Sequence, residues 1–498
     1  MPELSRRRRT LVLVICCMSL LIVSLDNTIL NVALPTLQKE LHASVAGLQW
    51  TIDAYTLVLA SLLMLAGSTA DRIGRRKVFM TGLVIFTVGS ALCSAAPNLE
   101  SLVAFRILQA VGGSMLNPVA VSIITNTFTE RRERARAIGA WGAVVGISLA
   151  LGPIIGGLLV DTISWRAIFW LNIPIGITAL ILTWRYVPES RAPKARRPDP
   201  VGQLLVIGVL ATLTYAIIEA PKAGWTSPEI LSFVGFSILS LIALILYEPR
   251  RDEPLIDLRF FSSAPFSGAT LIAVCSFAAL SGFLFLNTLY LQDVRGLSAL
   301  KAGLYILPMA AMTFVCAPVS GRLVGNRGPR LSLLVAGIAM TASGVLFAVF
   351  EAEQHTPLLF TGYVIFGIGF GMVNAPITNT AVSGMPNAQA GVAAAVASTS
   401  RQIGQTLGVA VIGAVLAAGV SLSVTGRMAS AAEKHNFADA SRPAWWIITG
   451  CGIAVLLVGM LSSGRWARGT AARTAQRLDP AGAQAAEAGG MSSPPARS

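Results

Sequence analysis

Long uninterrupted apolar runs set the terms for this chain. A helix needs roughly 18–20 apolar residues to cross the hydrocarbon core of a bilayer. Fourteen such spans can be read: 11–34, 48–68, 78–96, 101–123, 137–160, 166–187, 201–220, 229–247, 267–291, 303–323, 331–350, 357–380, 391–420 and 444–463. Of the 498 residues 54% are hydrophobic and only 12% charged, with mean hydropathy +0.68; soluble domains carry roughly 25% charged residues. A soluble enzyme, a disordered scaffold and a disulfide-stapled secreted domain do not fit. Gly and Pro interrupt many runs, as spanning helices tolerate, and no period-two alternation of the β-barrel kind is sustained. The fold class expected is an all-α polytopic membrane protein.

The formal charge of +14 is distributed by loop. With the N-terminus inside, 28 of the 38 Lys and Arg fall in inside segments, eight in outside loops and two, Arg106 and Arg401, within spans. This asymmetry places both termini in the cytoplasm, and the inner (cytoplasmic) membrane is the expected location. It accounts for the basic character through a solvated surface facing anionic lipid, with no nucleic-acid partner. Cys16, Cys17, Cys93, Cys275, Cys316 and Cys451 all lie in apolar runs and read as small buried hydrophobes, not as a disulfide or metal set. The basic, then apolar, N-terminus lacks a small-x-small cleavage site and reads as an uncleaved first helix.

Two pairs of segments repeat at nearly one offset. Gly67-Ser-Thr-Ala-Asp71-Arg72-Ile-Gly74-Arg75-Arg76 aligns with Gly321 to Arg330 at an offset of 254, and Gly152-Pro153-Ile-Ile-Gly156 aligns with Gly404 to Gly408 at 252. A six-helix unit used twice is expected, as secondary transporters often have, with the substrate site between the halves. The divisions expected are a cytoplasmic N-terminus 1–10, a six-helix half 11–187, a linker 188–262 holding two extra helices, a second half 263–463 and a disordered cytoplasmic tail 464–498.

The segment Gly67 to Arg76 resembles the loop signature of the major facilitator superfamily, G-x-L-x-D-R-x-G-R-R, with Thr69 in place of Leu. The resemblance implies that Gly67, Asp71, Arg72, Gly74, Arg75 and Arg76 form a conformational latch between the halves. Span five carries Gly142-x-x-x-Gly146 and then Gly152-Pro153-Ile-Ile-Gly156-Gly157, by spacing a close-packing seam. It is similar to the family's antiporter motif, with Ser148 at the first Gly position, which implies proton-coupled export. Leu25 to Pro35, Trp50 to Tyr55 and Trp165 to Gly176 resemble signatures of the fourteen-helix drug:proton branch, the quaternary-ammonium and dye exporters. Arg106-x-x-Gln109-Ala110-x-Gly112 matches its proton-linked Arg motif except that Ala110 replaces Gly.

At a rise of ~1.5 Å per residue, Asp26 lies ~12 Å, and Asp53 and Arg106 roughly 8 Å, below the outer ends of their spans. Ionisable groups at such depth cost several kcal/mol and face a wet cavity or a partner. Proton coupling and substrate binding are therefore expected at Asp26, Asp53 and Arg106, with Asn27, Asn31, Tyr55, Gln109, Arg401 and Gln405 around them. A static ion pair between Asp26 and Arg106 is the alternative for those two, and helix packing the alternative for Arg401. Glu219 reads as interfacial, and Phe283, Phe285, Asn287, Tyr290 and Met312 as cavity candidates.

The function expected is proton-coupled antiport of lipophilic drugs, cationic ones in particular, by alternating access. The alternatives are a dedicated exporter of an endogenous antibiotic or metabolite, and a nutrient symporter. No metal-ligand His cluster is present (only His42, His355 and His435) and no phosphate loop, so an enzyme or ATP-driven pump lacks support. No cofactor is expected beyond the coupling proton, and no partner beyond substrate and bilayer; the chain is expected to act as a monomer.

Overall fold

The computed structural model describes residues 5–192, 199–251, 253–349, 356–383, 385, 389–419 and 431–478. Lys194, Arg196, Arg197, His355, Arg427 and the tail from 479 lie outside the described residues.

Among the described residues sixteen α-helices follow one another: α1 Arg6–Glu40, α2 Val45–Ile73, α3 Arg75–Ser94, α4 Leu99–Thr127, α5 Arg131–Thr162, α6 Ala167–Trp170, α7 Asn172–Tyr186, α8 Pro200–Ala223, α9 Pro228–Tyr247, α10 Ala264–Leu289, α11 Ala299–Arg327, α12 Pro329–Val349, α13 Thr356–Val382, α14 Ala390–Gly419, α15 Ala431–Ser462 and α16 Arg465–Leu478. Among the described residues fourteen helices are long and apolar enough to span, because α6 and α7 together make the sixth and α16 is too polar to cross. Short polar residues start many helices: Ser44, Asn98 and Ser298 each accept a hydrogen bond from a backbone N–H three residues on, filling donors that have no partner within the helix.

The two six-helix halves pack alike. In the first, α1 packs on α5 and α7, α2 on α4, and α3 on α4 and α7; in the second, α10 packs on α14 and α15, α11 on α13, and α12 on α13 and α15. The repeat extends to backbone detail. Gly74 and Gly328, 254 residues apart, both end a helix with positive φ, at 132° and 79°, a conformation glycine adopts without steric cost. The halves meet along two equivalent seams, α5 with α11 and α2 with α14, while the inserted pair α8–α9 touches both halves through α8.

The α5–α11 seam is tight at one end only. Arg8 Nε donates to the Tyr186 carbonyl (3.0 Å) and Arg9 pairs with Glu133 (2.6 Å), which sets the N-terminus, the end of α7 and the start of α5 at one end of the bundle. At the opposite end a Cβ at Gly157 would lie 2.5 Å from the Leu300 Cα, and one at Gly303 would lie 2.2 Å from the Pro153 carbonyl oxygen. Only glycine allows α5 and α11 to approach that closely. Gly146, Gly142 and Gly139 fall on the same face of α5 as Gly157, given ~100° per residue. A Cβ at Gly146 would reach only the Phe314 ring edge, at 3.5 Å, and at Gly142, Gly139, Gly321 and Gly325 it would meet nothing within 4 Å. The halves therefore part toward the end that carries the N-terminus and leave a cleft there.

The expected disorder from residue 464 does not hold over α16. Ala467, Thr470, Ala471 and Thr474 are buried at helical spacing, and Thr470 Oγ1 accepts from the Ala264 amide at 2.9 Å. Small residues at i, i+3 and i+4 give this helix a packing face that its Ala- and Arg-rich composition conceals.

Candidate substrate and proton site

Span positions Asp26 (α1), Arg106 and Gln109 (α4) converge inside the first half. Arg106 pairs through Nη1 with Asp26 Oδ2 and donates to Gln109 Oε1 at 2.7 Å. Gln109 Nε2 donates to Asp26 Oδ1 and to Ser90 Oγ, each at 2.8 Å, and Asn172 Nδ2 donates to Asp26 Oδ1 at 2.8 Å. Arg106 Nε reaches the Thr51 carbonyl (3.3 Å), and its guanidinium lies 4.1 Å from the Tyr55 ring centroid. Asp26 is 5% exposed and Arg106 not at all. Both carboxylate oxygens are engaged and the charges cancel within the network, while Arg106 Nη2 is buried without a hydrogen-bond partner among the described residues. Asn172, Ser90 and Thr51 were not foreseen. Asn172 stands in a recognised signature, but nothing in the sequence says which of its residues points inward.

Asp53 is not brought to that network, although it lies at a similar depth. Thr51 and Tyr55 face Arg106, and two residues from Thr51 is ~200° around a helix. Asp53 thus shares the opposite face of α2 with Gln49 and Thr56, along the seam with α14. Gln49 Nε2 donates to the Val409 and Ala410 carbonyls (3.1 and 2.8 Å), and Thr406 Oγ1 donates to Thr56 Oγ1 (2.9 Å). Between these contacts Asp53 is completely buried, and neither carboxylate oxygen has a hydrogen-bond partner among the described residues.

The cleft begins where the polar contacts of α1 and α14 end. Asn27 Nδ2 donates to Gln405 Oε1 across the halves (3.4 Å), and Asn31 Nδ2 donates to the Asn27 carbonyl (3.0 Å). Arg401 lies one turn from Gln405 on the same face of α14 and toward the open end. It is partly exposed; its Nη2 donates to Thr378 Oγ1 (2.6 Å), and its guanidinium carbon is 6.0 Å from the Phe277 ring centroid. Tyr55 is buried against Arg106 and does not reach the cleft.

Three of the cavity candidates are packing instead. Phe283 stacks on Phe366 at 4.1 Å and meets Phe347, Tyr363 and Trp445 edge-on, Phe285 is fully buried, and Asn287 accepts from the Tyr363 hydroxyl at 2.8 Å. Tyr290 and Met312 are half-buried. Glu219 accepts from the Trp50 indole N–H at 2.9 Å, tying α8 to α2.

The loop at Gly67 to Arg76 is held by its own helix ends and by the start of the linker, not by the second half. Arg75 binds Asp71 Oδ1 through Nε and Nη2 (2.9 and 2.7 Å), its amide donates to the Ser190 carbonyl, and the Arg76 amide donates to Glu189 Oε1. A side chain at Gly74 would lie 2.7 Å from that Glu189 oxygen, while Arg72 is exposed and Gly67 lies near Pro118. In α5, Gly152 and Gly156 lie against Thr28 and Ile29 of α1, and Pro153 and Gly157 lie against α11. The tight end has a further member that sequence reading missed: Asp161 of α5 accepts from the Ala299 and Leu300 amides at the start of α11 (3.1 and 2.9 Å).

Two equivalent membrane-spanning halves around a polar, one-ended cleft define a secondary transporter, not an enzyme. The family model of the Major Facilitator Superfamily matches residues 16–409, and the chain belongs to that family as a multi-pass membrane protein. It is 37% identical over 418 residues to the multidrug resistance protein Stp of Mycobacterium tuberculosis, covering 84% of this chain and 78% of that one. It is likewise 37% identical over 402 residues to the tetracenomycin C resistance and export protein of Streptomyces glaucescens, covering 80% and 74%. Among solved structures, a bacterial homolog of the human lysosomal transporter Spinster superposes with a TM-score of 0.65 at 17% identity, over 95% of this chain and 98% of that one. That likeness is one of fold.

Proposed function

We propose that this protein is a proton-coupled antiporter that exports lipophilic drugs or antibiotics across the cytoplasmic membrane by alternating access, as a monomer with both termini in the cytoplasm. The drug-efflux and antibiotic-export relatives support the substrate class. The excess of Lys and Arg at the open end supports the orientation, so the cleft faces the cytoplasm and receives substrate from that side. Both walls of the cleft come from one chain, which favours a working monomer.

The observation that carries proton coupling is Asp53. It is sealed in the α2–α14 seam, with neither oxygen hydrogen-bonded among the described residues. Opening the far side must part that seam, breaking the Gln49 and Thr56 contacts and admitting water to the carboxylate. Burying an unpaired charge is costly, so a carboxylate that alternates between dry and wet surroundings exchanges a proton as it does so. Its protonation is thereby tied to the rocking of the halves. Asp26, with every oxygen engaged, serves as a fixed strut. The coupling ion is the proton, with no further cofactor. The loop at Asp71 and Arg75 would latch the halves when the cytoplasmic end closes.

The test uses purified protein in proteoliposomes with an imposed pH gradient, following a panel of fluorescent drugs. Wild type should accumulate at least one of them against its gradient. Asp53→Asn should lose this accumulation yet retain exchange of labelled for unlabelled drug at equal pH. Accumulation by Asp53→Asn at the wild-type level would remove Asp53 from the coupling.

A further inference from the structure

The charge of the substrate can be read from what the cleft presents to it. A carboxylate facing the cleft would favour cations, but neither Asp26 nor Asp53 faces it in the conformation that loads from the open end. Asp26 is neutralised inside the first half by Arg106, and Asp53 is covered by α14. Arg401 remains. It stands one turn beyond the last cross-half contact, Asn27 with Gln405. Its bond to Thr378 is its one hydrogen bond among the described residues, its Nε is buried without a partner, and it belongs to no ion pair among them.

The fold keeps Asp53 away from this cation. Asp53 meets α14 near Thr406, which is five residues from Arg401, about 7.5 Å along the helix and ~140° around it. The floor beside Arg401 is apolar and aromatic: Phe277 lies below the guanidinium and packs edge-on to Phe370 at 5.2 Å between centroids. Amide groups of Asn27 and Gln405 form the wall above it. An unpaired guanidinium is always charged and carries donors suited to carboxylate or other oxyanion groups. Within a membrane-spanning cleft it attracts a counter-ion, and among the described residues no carboxylate pairs with it.

We propose that Arg401 is the anchor for an acidic group of the exported compound, so that the cleft selects lipophilic molecules bearing a carboxylate, enolate or phenolate, with the ring system lying on Phe277. This rests on the export reading above and names its substrate class. Asn27 and Gln405 accept or donate to neutral polar groups, which leaves the acid–guanidinium contact to set the charge preference.

Three probes of one ring system separate the possibilities: anthracene-9-carboxylate, its methyl ester, and (anthracen-9-ylmethyl)trimethylammonium. Each is followed by fluorescence in proteoliposomes containing the full chain under a pH gradient. Wild type should favour the acid over the ester by roughly tenfold or more, the scale of a charge-assisted hydrogen bond. In Arg401→Gln the ratio of acid to ester should fall to about one, and Arg401→Lys, which keeps the charge, should restore part of it. A melting curve for each variant checks that it is folded; should Arg401→Gln fail to fold, the Lys variant and the wild-type ratio still decide. Preference for the ammonium or the ester by wild type, or an acid preference that survives in Arg401→Gln, overturns the anchor while leaving export intact. Transport of none of the three by wild type overturns the anchor along with export of such compounds.

Discussion

Asp26 and Asp53 are two acidic residues at similar depth in one half of the bundle, and their surroundings are opposite. Asp26 has three side-chain donors, from Arg106, Gln109 and Asn172, and lies within a single rigid unit. Among the described residues Asp53 has no hydrogen-bond partner, and it lies on the surface between the two halves. The difference teaches where a transporter can keep a movable proton. A fully paired charge holds helices in place, whereas an unpaired one at a seam changes its solvation whenever the seam opens.

The largest effect should come from unbalancing the paired site. Asp26→Ala leaves the Arg106 guanidinium buried without a counter-charge, and breaking a buried pair in this way costs about 3–5 kcal/mol. Its melting temperature in detergent should fall steeply, and folded yield with it. Asp53→Asn removes an unpaired buried carboxylate and should melt at or above the wild-type temperature while coupling is lost. If the two variants melted alike, the contrast between strut and carrier would be wrong.

A second comparison lies along one face of α5. Gly157 touches α11 at the tight end and Gly142 faces open space. Overpacking a close contact costs about 1–3 kcal/mol, so Gly157→Leu should pry the tight end apart. Hydrogen exchange at residues 299–303 should accelerate, because the start of α11 loses its cover. Gly142→Leu meets nothing in this conformation and should leave that exchange unchanged, but it should slow transport by obstructing closure of the open end. Equal exchange at 299–303 in wild type and Gly157→Leu would show that the seam is not the gate.

The fourteen spans were legible because apolar runs of that length have one solution in a bilayer, and the repeat was legible because Gly74 and Gly328 mark equivalent turns. Depth along a helix also follows from residue number. Azimuth is harder: Asp53 and Arg106 match in depth, yet the face of α2 that Asp53 shares with Gln49 is assigned only once α14 is in place. Phe283 shows the same limit, since an aromatic residue in a core and one in a cleft look alike in sequence. Asp161 was passed over because a carboxylate at the end of a span reads as an ordinary interfacial residue. Its partners are backbone amides 138 and 139 residues away, which no local pattern announces.

Asp161 also supplies the finest test of the tight end. Its two oxygens take the first amides of α11, where the helix dipole places partial positive charge. Because α5 and α11 belong to different halves, this cap acts as a clasp between them and exists only while that end is closed. Asp161→Asn keeps the shape and one acceptor but removes the charge, which should weaken the closed state by about 0.3–1 kcal/mol. Exchange at residues 299–303 should then quicken by roughly two- to fivefold, in the same direction as Gly157→Leu and well short of it, with melting hardly altered. The effect should shrink with added salt to the extent that water reaches the site. Exchange as slow as in wild type would mean that the glycine contacts alone hold the end shut, and that the charge at Asp161 is dispensable to the gate.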